Sequence, residues 1–387
     1  MAQAILHIGL EKTGTSSLQE FLQLNRELLR QRENIWIPDF LGRGSQWPLA
    51  VIAYDPVRSD DLTAPLGEPE ARACRIAEIR GQITAAVQQN AARAHCFSSE
   101  HLSSRLTTPQ ELERLRAFLQ PLFDSITIVL YLREPIRLAI SRQSTFVKMG
   151  LGGFQLPTPH QLAEGFDYRA VIDLWQAAFP GSLQVRRFDP SQPGFDLIAD
   201  FCAAVGISAV EACTRPPRVN ESLDWTVMRL LSRINRIAID ELGGPLPRPV
   251  LERLVPLLER LAQAPGRPRS GYVPTAEAVT AYRAFFADQE RWLLERFFPD
   301  RDALWCRPCS SPTTEEERAA ASRSLEVSDA EEILCRVIVD LAAPRAVPVP
   351  ELIHCLEQIA WKDEQGQPLN LYDRETCRSL ARTLRRL

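Results

Sequence analysis

An α/β fold, a parallel sheet flanked by helices, is the class this sequence predicts, and two observations predict it. Short apolar runs at 4–8, 94–98 and 125–132 alternate with longer stretches of helical periodicity, the pattern of parallel strands joined by right-handed crossovers. Each run also leads into a polar loop: GLEKTGTS at 9–16, SSEHLSS at 98–104 and LREP at 132–135. Ligands of such sheets gather beyond the C-terminal strand ends, so the three loops converge on one place.

The elements follow in order. The first strand, 4–8, is a continuous apolar run suited to burial on both faces. A helix is predicted from about 16 to 32, with Leu18, Phe21, Leu22, Leu28 and Leu29 on one side. Residues 38–69, containing Pro, Gly and Asp, read as irregular, a candidate lid or acceptor-site wall. A helix follows over 69–92, then a strand at 94–98, a helix over 109–119 and the strongest strand, 125–132. Pro135 opens the next helix, to about 149, because the missing N–H of proline costs nothing at a first helical position. From about 167 the pattern is mainly helical, with one strand at 183–188 and helices near 195–205, 221–241, 247–263 and 275–297. The stretch 306–324 has linker composition, and 325–387 reads as a mostly helical C-terminal extension.

Composition narrows the function classes. The formal net charge of -4 provides no blanket attraction for nucleic acid or an anionic membrane, so an anion site has to be built locally. The longest strongly apolar run, ITIVLYL at 126–132, is far below the ~20 residues of a membrane-spanning helix. Met1 leads almost directly into the first strand with no basic leader, and the expected location is cytoplasmic. The 9 cysteines are scattered, which suits reduced structural thiols better than a disulfide framework. Among 45 basic residues the lysines stand only at 12, 148 and 362. In so arginine-rich a chain, a retained lysine suggests a need for a compact point charge.

Lys12 lies where such a charge has a use. Gly9 and Gly14 frame a GxxxxG loop, followed by Thr15 and Ser16, between a strand and a helix. The backbone N–H groups of such a turn and of the first helical turn point at one spot and favour an anion. The loop is P-loop-like, with a difference. A Walker A loop places lysine directly after the second glycine; here Thr15 has that position and the lysine comes earlier. A nucleotide triphosphatase also wants an aspartate for magnesium at a neighbouring strand end, whereas the strongest strand ends in Arg133. A second cation there suits a second phosphate.

The segments HIGLEKTGTSSLQ and IVLYLREPIRLAIS resemble the 5′-phosphosulfate loop and the 3′-phosphate strand and helix of sulfotransferases that use 3′-phosphoadenosine 5′-phosphosulfate (PAPS). DYRAVIDLWQAAF with VRRFD, RVNESLDWTVMRLLSRIN and RPRSGY are similar to stretches in bacterial members of that superfamily. The resemblance covers roughly 1–305, which it implies is a sulfotransferase domain. By that resemblance Lys12 would meet the bridging or leaving oxygen. Thr13, Gly14, Thr15 and Ser16 would hold the 5′-phosphate, and Arg133 and Ser141 the 3′-phosphate. Arg267, Arg269 and Ser270 would add a basic loop near the nucleotide, and Lys148 is a further candidate contact.

Transfer to a hydroxyl needs a group to take its proton. The candidates are His101, placed first, and Glu100, adjacent on the loop after the second strand; the family uses either residue type. Successive residues point different ways, so one of the two is expected to serve. His7, inside the first strand, reads as a satisfied core histidine, and His95, His160 and His354 have no constellation around them. Trp305-Cys306-Arg307-Pro308-Cys309 matches a WCxPC redox pattern, but its polar linker surroundings argue against a reactive thiol. No metal site is expected. The implied partner is a hydroxylated acceptor, a carbohydrate or glycolipid first, with a phenol or peptide tyrosine as alternatives. A P-loop nucleotide triphosphatase or small-molecule kinase, or a non-catalytic nucleotide-binding protein, stand as the other readings.

Overall fold

The computed structural model describes residues 2–42, 44–55, 57–217, 223–262, 271–305, 332, 334–336 and 338–339. Among them, five strands form one all-parallel sheet in the order β2-β3-β1-β4-β5. The strands are β1 (Gln3–His7), β2 (Ile35–Trp36), β3 (Ala94–Ser98), β4 (Ser125–Arg133) and β5 (Leu183–Phe188). The predicted α/β class is the observed one. β1 is central, with β3 and β4 on either side, and His7 is level with Ser98 on one and Val129 on the other. The chain leaves β1 towards the β2 edge, returns to β3, then passes over β1 to β4. This is the reversal point at which open parallel sheets bind their ligands.

Residues Thr15–Leu24 form α1 and Arg26–Glu33 form α2. The one helix expected over 16–32 is therefore two, broken at Asn25, whose φ is -107°. The Asn25 side chain donates to the carbonyls of Phe21 and Thr214, at 2.8 and 2.9 Å, and accepts from the Thr214 N–H at 2.7 Å. That clasp to a distant segment outweighs continued helix at this position.

β2 was not anticipated. It is two residues long and Pro38 follows it closely, so it carries almost no periodicity to read.

The stretch 38–69 contains α3 (Pro48–Val51) and one 3₁₀ turn, Ala64–Leu66. Arginines fasten it down: Arg72 donates to the carbonyls of Arg58 and Gly67, Arg80 to Ile52 and Arg114 to Ala53. Arg58 pairs with buried Glu111 at 2.6 Å.

The remaining helices are α4 (Pro69–Gln89), α5 (His101–Arg105), α6 (Pro109–Leu119), α7 (Pro135–Lys148), α8 (Pro159–Gly165), α9 (Tyr168–Ala178), α10 (Leu197–Val205), α11 (Trp225–Leu242), α12 (Arg248–Leu261) and α13 (Ala276–Phe297). Several begin with a side-chain cap: Thr108 and Glu111 form a capping box at α6, and Asp167, Asp196 and Asp224 cap α9, α10 and α11.

Two compact units emerge. The first comprises Met1–Glu134, His160–Asn220 and Phe285–Pro308, and the second Pro135–Pro159, Glu221–Ala284 and Cys309–Leu387. In the first, Ile5, Phe21, Leu22, Cys96, Val129 and Phe201 pack as a core between the sheet and its helices. In the second, Val147, Trp225, Leu231, Ile234 and Leu254, all helical, pack as a separate core. Of the expected helical extension, residues 332, 334–336 and 338–339 are described and all are helical. The whole 306–324 linker with its Cys306–Cys309 motif, most of the extension, Arg267, Arg269, Ser270 and His354 lie outside the described residues. No described helix is long and apolar enough to cross a membrane.

Candidate functional site

The loop after β1 continues beside β4 before it turns. Ile8 and Leu10 donate to the carbonyls of Val129 and Tyr131, both at 3.0 Å, and the Tyr131 N–H donates to Gly9 at 2.6 Å. The chain then folds back through Lys12, with a left-handed φ of 64°, and Gly14, with φ 82°, into α1. A left-handed backbone at a lysine costs about 1–3 kcal/mol and persists only where its surroundings impose it. Two bonds impose it here. Arg133 Nη1 donates to the Lys12 carbonyl at 2.7 Å, and the Thr13 hydroxyl donates to Leu10 at 2.6 Å. The Thr13 hydroxyl proton is thus spent inside the loop. Arg133 also lies over the Phe188 ring, 5.3 Å from its centroid, and its own carbonyl is held by the buried Tyr168 hydroxyl at 2.6 Å.

Unlike its capped counterparts, α1 starts at Gly14 with no side-chain cap and no acid in its first turn. Its leading N–H groups and the positive end of its dipole face the same loop as Lys12. Both glycines of the motif have steric reasons. A Cβ on Gly9 would lie 3.1 Å from the Cα of Glu100, and one on Gly14 would lie 2.4 Å from Leu197 Cδ2 and 3.0 Å from Phe188 Cε2.

The turn after β3 is fastened to that loop. The Ser99 N–H donates to the His7 carbonyl at 2.9 Å, and the Ser103 hydroxyl to that of Ile8. His7 Nδ1 and the Ser98 hydroxyl are 2.7 Å apart. Burial pushes His7 down to about 3, so it is a neutral core histidine, flanked edge-on by Tyr131 and Phe201. From the other side Gln46 accepts from the Ser98 N–H and donates its own N–H to the Ser98 carbonyl. Ser45 and Ser99 join through their hydroxyls at 2.9 Å.

The two base candidates are placed differently. Glu100 backs onto Gly9, and its Oε2 accepts from Gln19 Nε2 of α1 at 2.7 Å. His101 opens α5 with Nδ1 buried and without a hydrogen-bond partner among the described residues; none of the described hydrogen bonds ties its ring to the loop. Thr15 is buried and Ser16 exposed at the start of α1. Ser141 is half-buried on α7 and belongs to the second unit, as does Lys148.

Sequence reasoning missed Gln19, Ser45 and Gln46. Gln19 had a signal, because it shares the buried helical stripe of Thr15, Leu18 and Leu22 and is polar. The other two sit in an irregular stretch with no periodicity to mark them. Outside this region His95 is buried between the rings of Trp36 and Phe123, and His160 packs against Phe285. Burial pushes the thiols of Cys96 and Cys202 up to about 12, which makes them inert packing groups. Comparison of the chain with protein-family models, curated proteins and solved structures finds no match.

Proposed function

We propose that this chain is an enzyme that binds the anionic end of a nucleotide-linked donor in the loop after β1. More particularly, we propose a PAPS-dependent sulfotransferase acting on an acceptor hydroxyl, with a carbohydrate or glycolipid as the first acceptor class to test. One observation carries the reading. A single loop brings together an uncapped helix N-terminus, a lysine in a left-handed turn, an arginine at the neighbouring strand end and a carboxylate backed onto the first glycine. Gly14 lets α1 begin close against Leu197 and Phe188, where a Cβ would collide with both side chains, and leaves the N-terminal N–H groups of the helix without a side-chain cap, as an anion site needs.

The donor supplies the sulfuryl group. In this reading the N–H groups of Thr13, Gly14, Thr15 and Ser16 hold its 5′-phosphate, and the Lys12 ammonium stabilises charge that builds on the leaving oxygen. Arg133 contributes its charge and, through the Lys12 carbonyl, holds the lysine in place; Ser141 is assigned with it to the 3′-phosphate by the family resemblance. Glu100 is the preferred base over His101, because it is the one that backs onto the loop and is oriented from α1.

Calorimetric titration with adenosine 3′,5′-bisphosphate, beside ATP with magnesium, tests the proposal. Expected is magnesium-independent binding of the bisphosphate, weakened at least tenfold in Lys12→Ala and in Arg133→Ala, consistent with loss of a charge-assisted contact. Preference for magnesium-ATP with indifference to the 3′-phosphate would overturn it in favour of a kinase or nucleotide triphosphatase.

A further inference from the structure

Gln19 is 6% exposed on the buried face of α1. Burying an amide is costly unless its polar atoms are bonded. Its Nε2 makes a 2.7 Å bond to Oε2 of Glu100, 81 positions away in sequence. A carboxylate only accepts, so the amide must present its NH₂ to it, and the chemistry settles the orientation. Glu100 Oε1 has no hydrogen-bond partner among the described residues.

We infer that Gln19 is a positioning residue for transfer. It occupies one oxygen of Glu100 with a neutral donor and leaves the other to receive the acceptor proton. The inference rests on the reading of Glu100 as the base. A lysine or arginine here would form an ion pair and compete for the carboxylate's charge; an amide fixes the rotamer and leaves the charge in place. The connection also links the base to the donor loop. Thr15, in the first turn, and Gln19 are four residues apart on one face of α1, about 6 Å along the axis, so a single helix sets the offset between anion cradle and base. Ser98 and Ser99, the residues just before Glu100, are held from independent directions by His7, Ser45 and Gln46, which leaves side-chain orientation as the specific contribution of Gln19.

The test uses the full-length protein, PAPS with water as acceptor, and sulfate release as the rate. The variants are Gln19→Met, Gln19→Glu, Glu100→Gln and the Gln19→Met/Glu100→Gln pair, each also titrated with adenosine 3′,5′-bisphosphate. Gln19→Met should lower kcat by about tenfold to a hundredfold, the value of a hydrogen bond to a charged group. Its Kd for the bisphosphate should stay within about twofold of wild type. In the Glu100→Gln background the same substitution should cost nothing further, because its effect passes through Glu100. Gln19→Glu, which opposes a second carboxyl to Oε2, should lose more than Gln19→Met. An unchanged kcat in Gln19→Met overturns the inference. So does an equal loss in both backgrounds, or a parallel loss of bisphosphate affinity, either of which would mark a merely structural residue. Should wild type release no measurable sulfate, the Gln19 side-chain amide signal in a proton–nitrogen correlation spectrum decides. A signal that is protected from exchange and moves in Glu100→Gln supports the pairing; one that does neither overturns it. Failure of wild type to bind the bisphosphate at all would instead sink the sulfotransferase reading, before any variant is compared.

Discussion

Replacing Gly9 by alanine should damage both stability and turnover, and the structure separates the two causes. Gly9 has φ 96°, and a left-handed backbone costs an L-residue about 1–2 kcal/mol. The added Cβ would sit 3.1 Å from the Cα of Glu100 and 3.2 Å from its Cβ. That Cα cannot withdraw alone, because its turn is tied to His7, Ser45 and Gln46. Overfilling a rigid site adds about 1–3 kcal/mol, so the total is about 2–5 kcal/mol. Gly14→Ala is the informative contrast. Its φ is 82°, but the nearest atom, Leu197 Cδ2 at 2.4 Å, is the tip of a half-buried side chain that can rotate away. The expected cost there is about 1–3 kcal/mol, mostly from the backbone. Urea unfolding followed by tryptophan fluorescence measures both, and Gly9→Ala should be the less stable. On the proposed function, sulfate release should fall further in Gly9→Ala than its stability loss explains, since the displaced group is the proposed base, Glu100. A Gly9→Ala protein within about 0.5 kcal/mol of wild type, or one more stable than Gly14→Ala, would refute the argument that the Glu100 turn is rigid.

Two further outcomes follow from buried titratable groups. His7 is held down to about 3 against 6.5 when unfolded, so the unfolded chain takes up the proton first. Its contribution is fully present above pH 6.5 and is lost towards pH 3, by up to about 1.4 kcal/mol per pH unit. His7→Gln should flatten that part of a urea-derived stability profile; an unchanged slope would mean that His7 reaches solvent. Glu111 closes the α6 capping box, accepting from the Thr107 N–H at 3.0 Å and the Thr108 N–H at 3.2 Å, and it pairs with Arg58. Glu111→Ala should cost about 2–4 kcal/mol, lowered from the fully buried case by the partial exposure of Arg58. Glu111→Gln, which keeps the acceptor, should cost less, and equal losses would show that the cap contributes nothing.

Much of the fold was legible because it is written in local periodicity. β3 and β5 fall where their apolar patterns put them, and β1 and β4 within a residue. α6 spans the predicted 109–119, and α7 starts at Pro135, the proline that announces it. The break at Asn25 was not legible: the helical pattern runs through it, and the cause is a clasp to Thr214, 189 positions away. Residues 38–69 read only as an irregular stretch, a lid or an acceptor-site wall, because they lack a repeat; arginines from α4 and α6 secure them.

The candidate site divides in the same way. A strand, a GxxxxG loop and a helix are consecutive in the chain, and backbone geometry confines such a loop to few shapes, so sequence alone located the strand–loop–helix turn after β1 and placed Lys12 within it. The convergence of the loops after β1, β3 and β4 followed from parallel topology. Only tertiary structure decided that Arg133 reaches the Lys12 carbonyl across 121 positions, that Glu100 rather than His101 backs onto Gly9, and that Gln19 holds its carboxylate. Adjacent residues of one turn are indistinguishable to periodicity. Their directions are set by packing against segments remote in sequence, and that information exists only once the chain has folded.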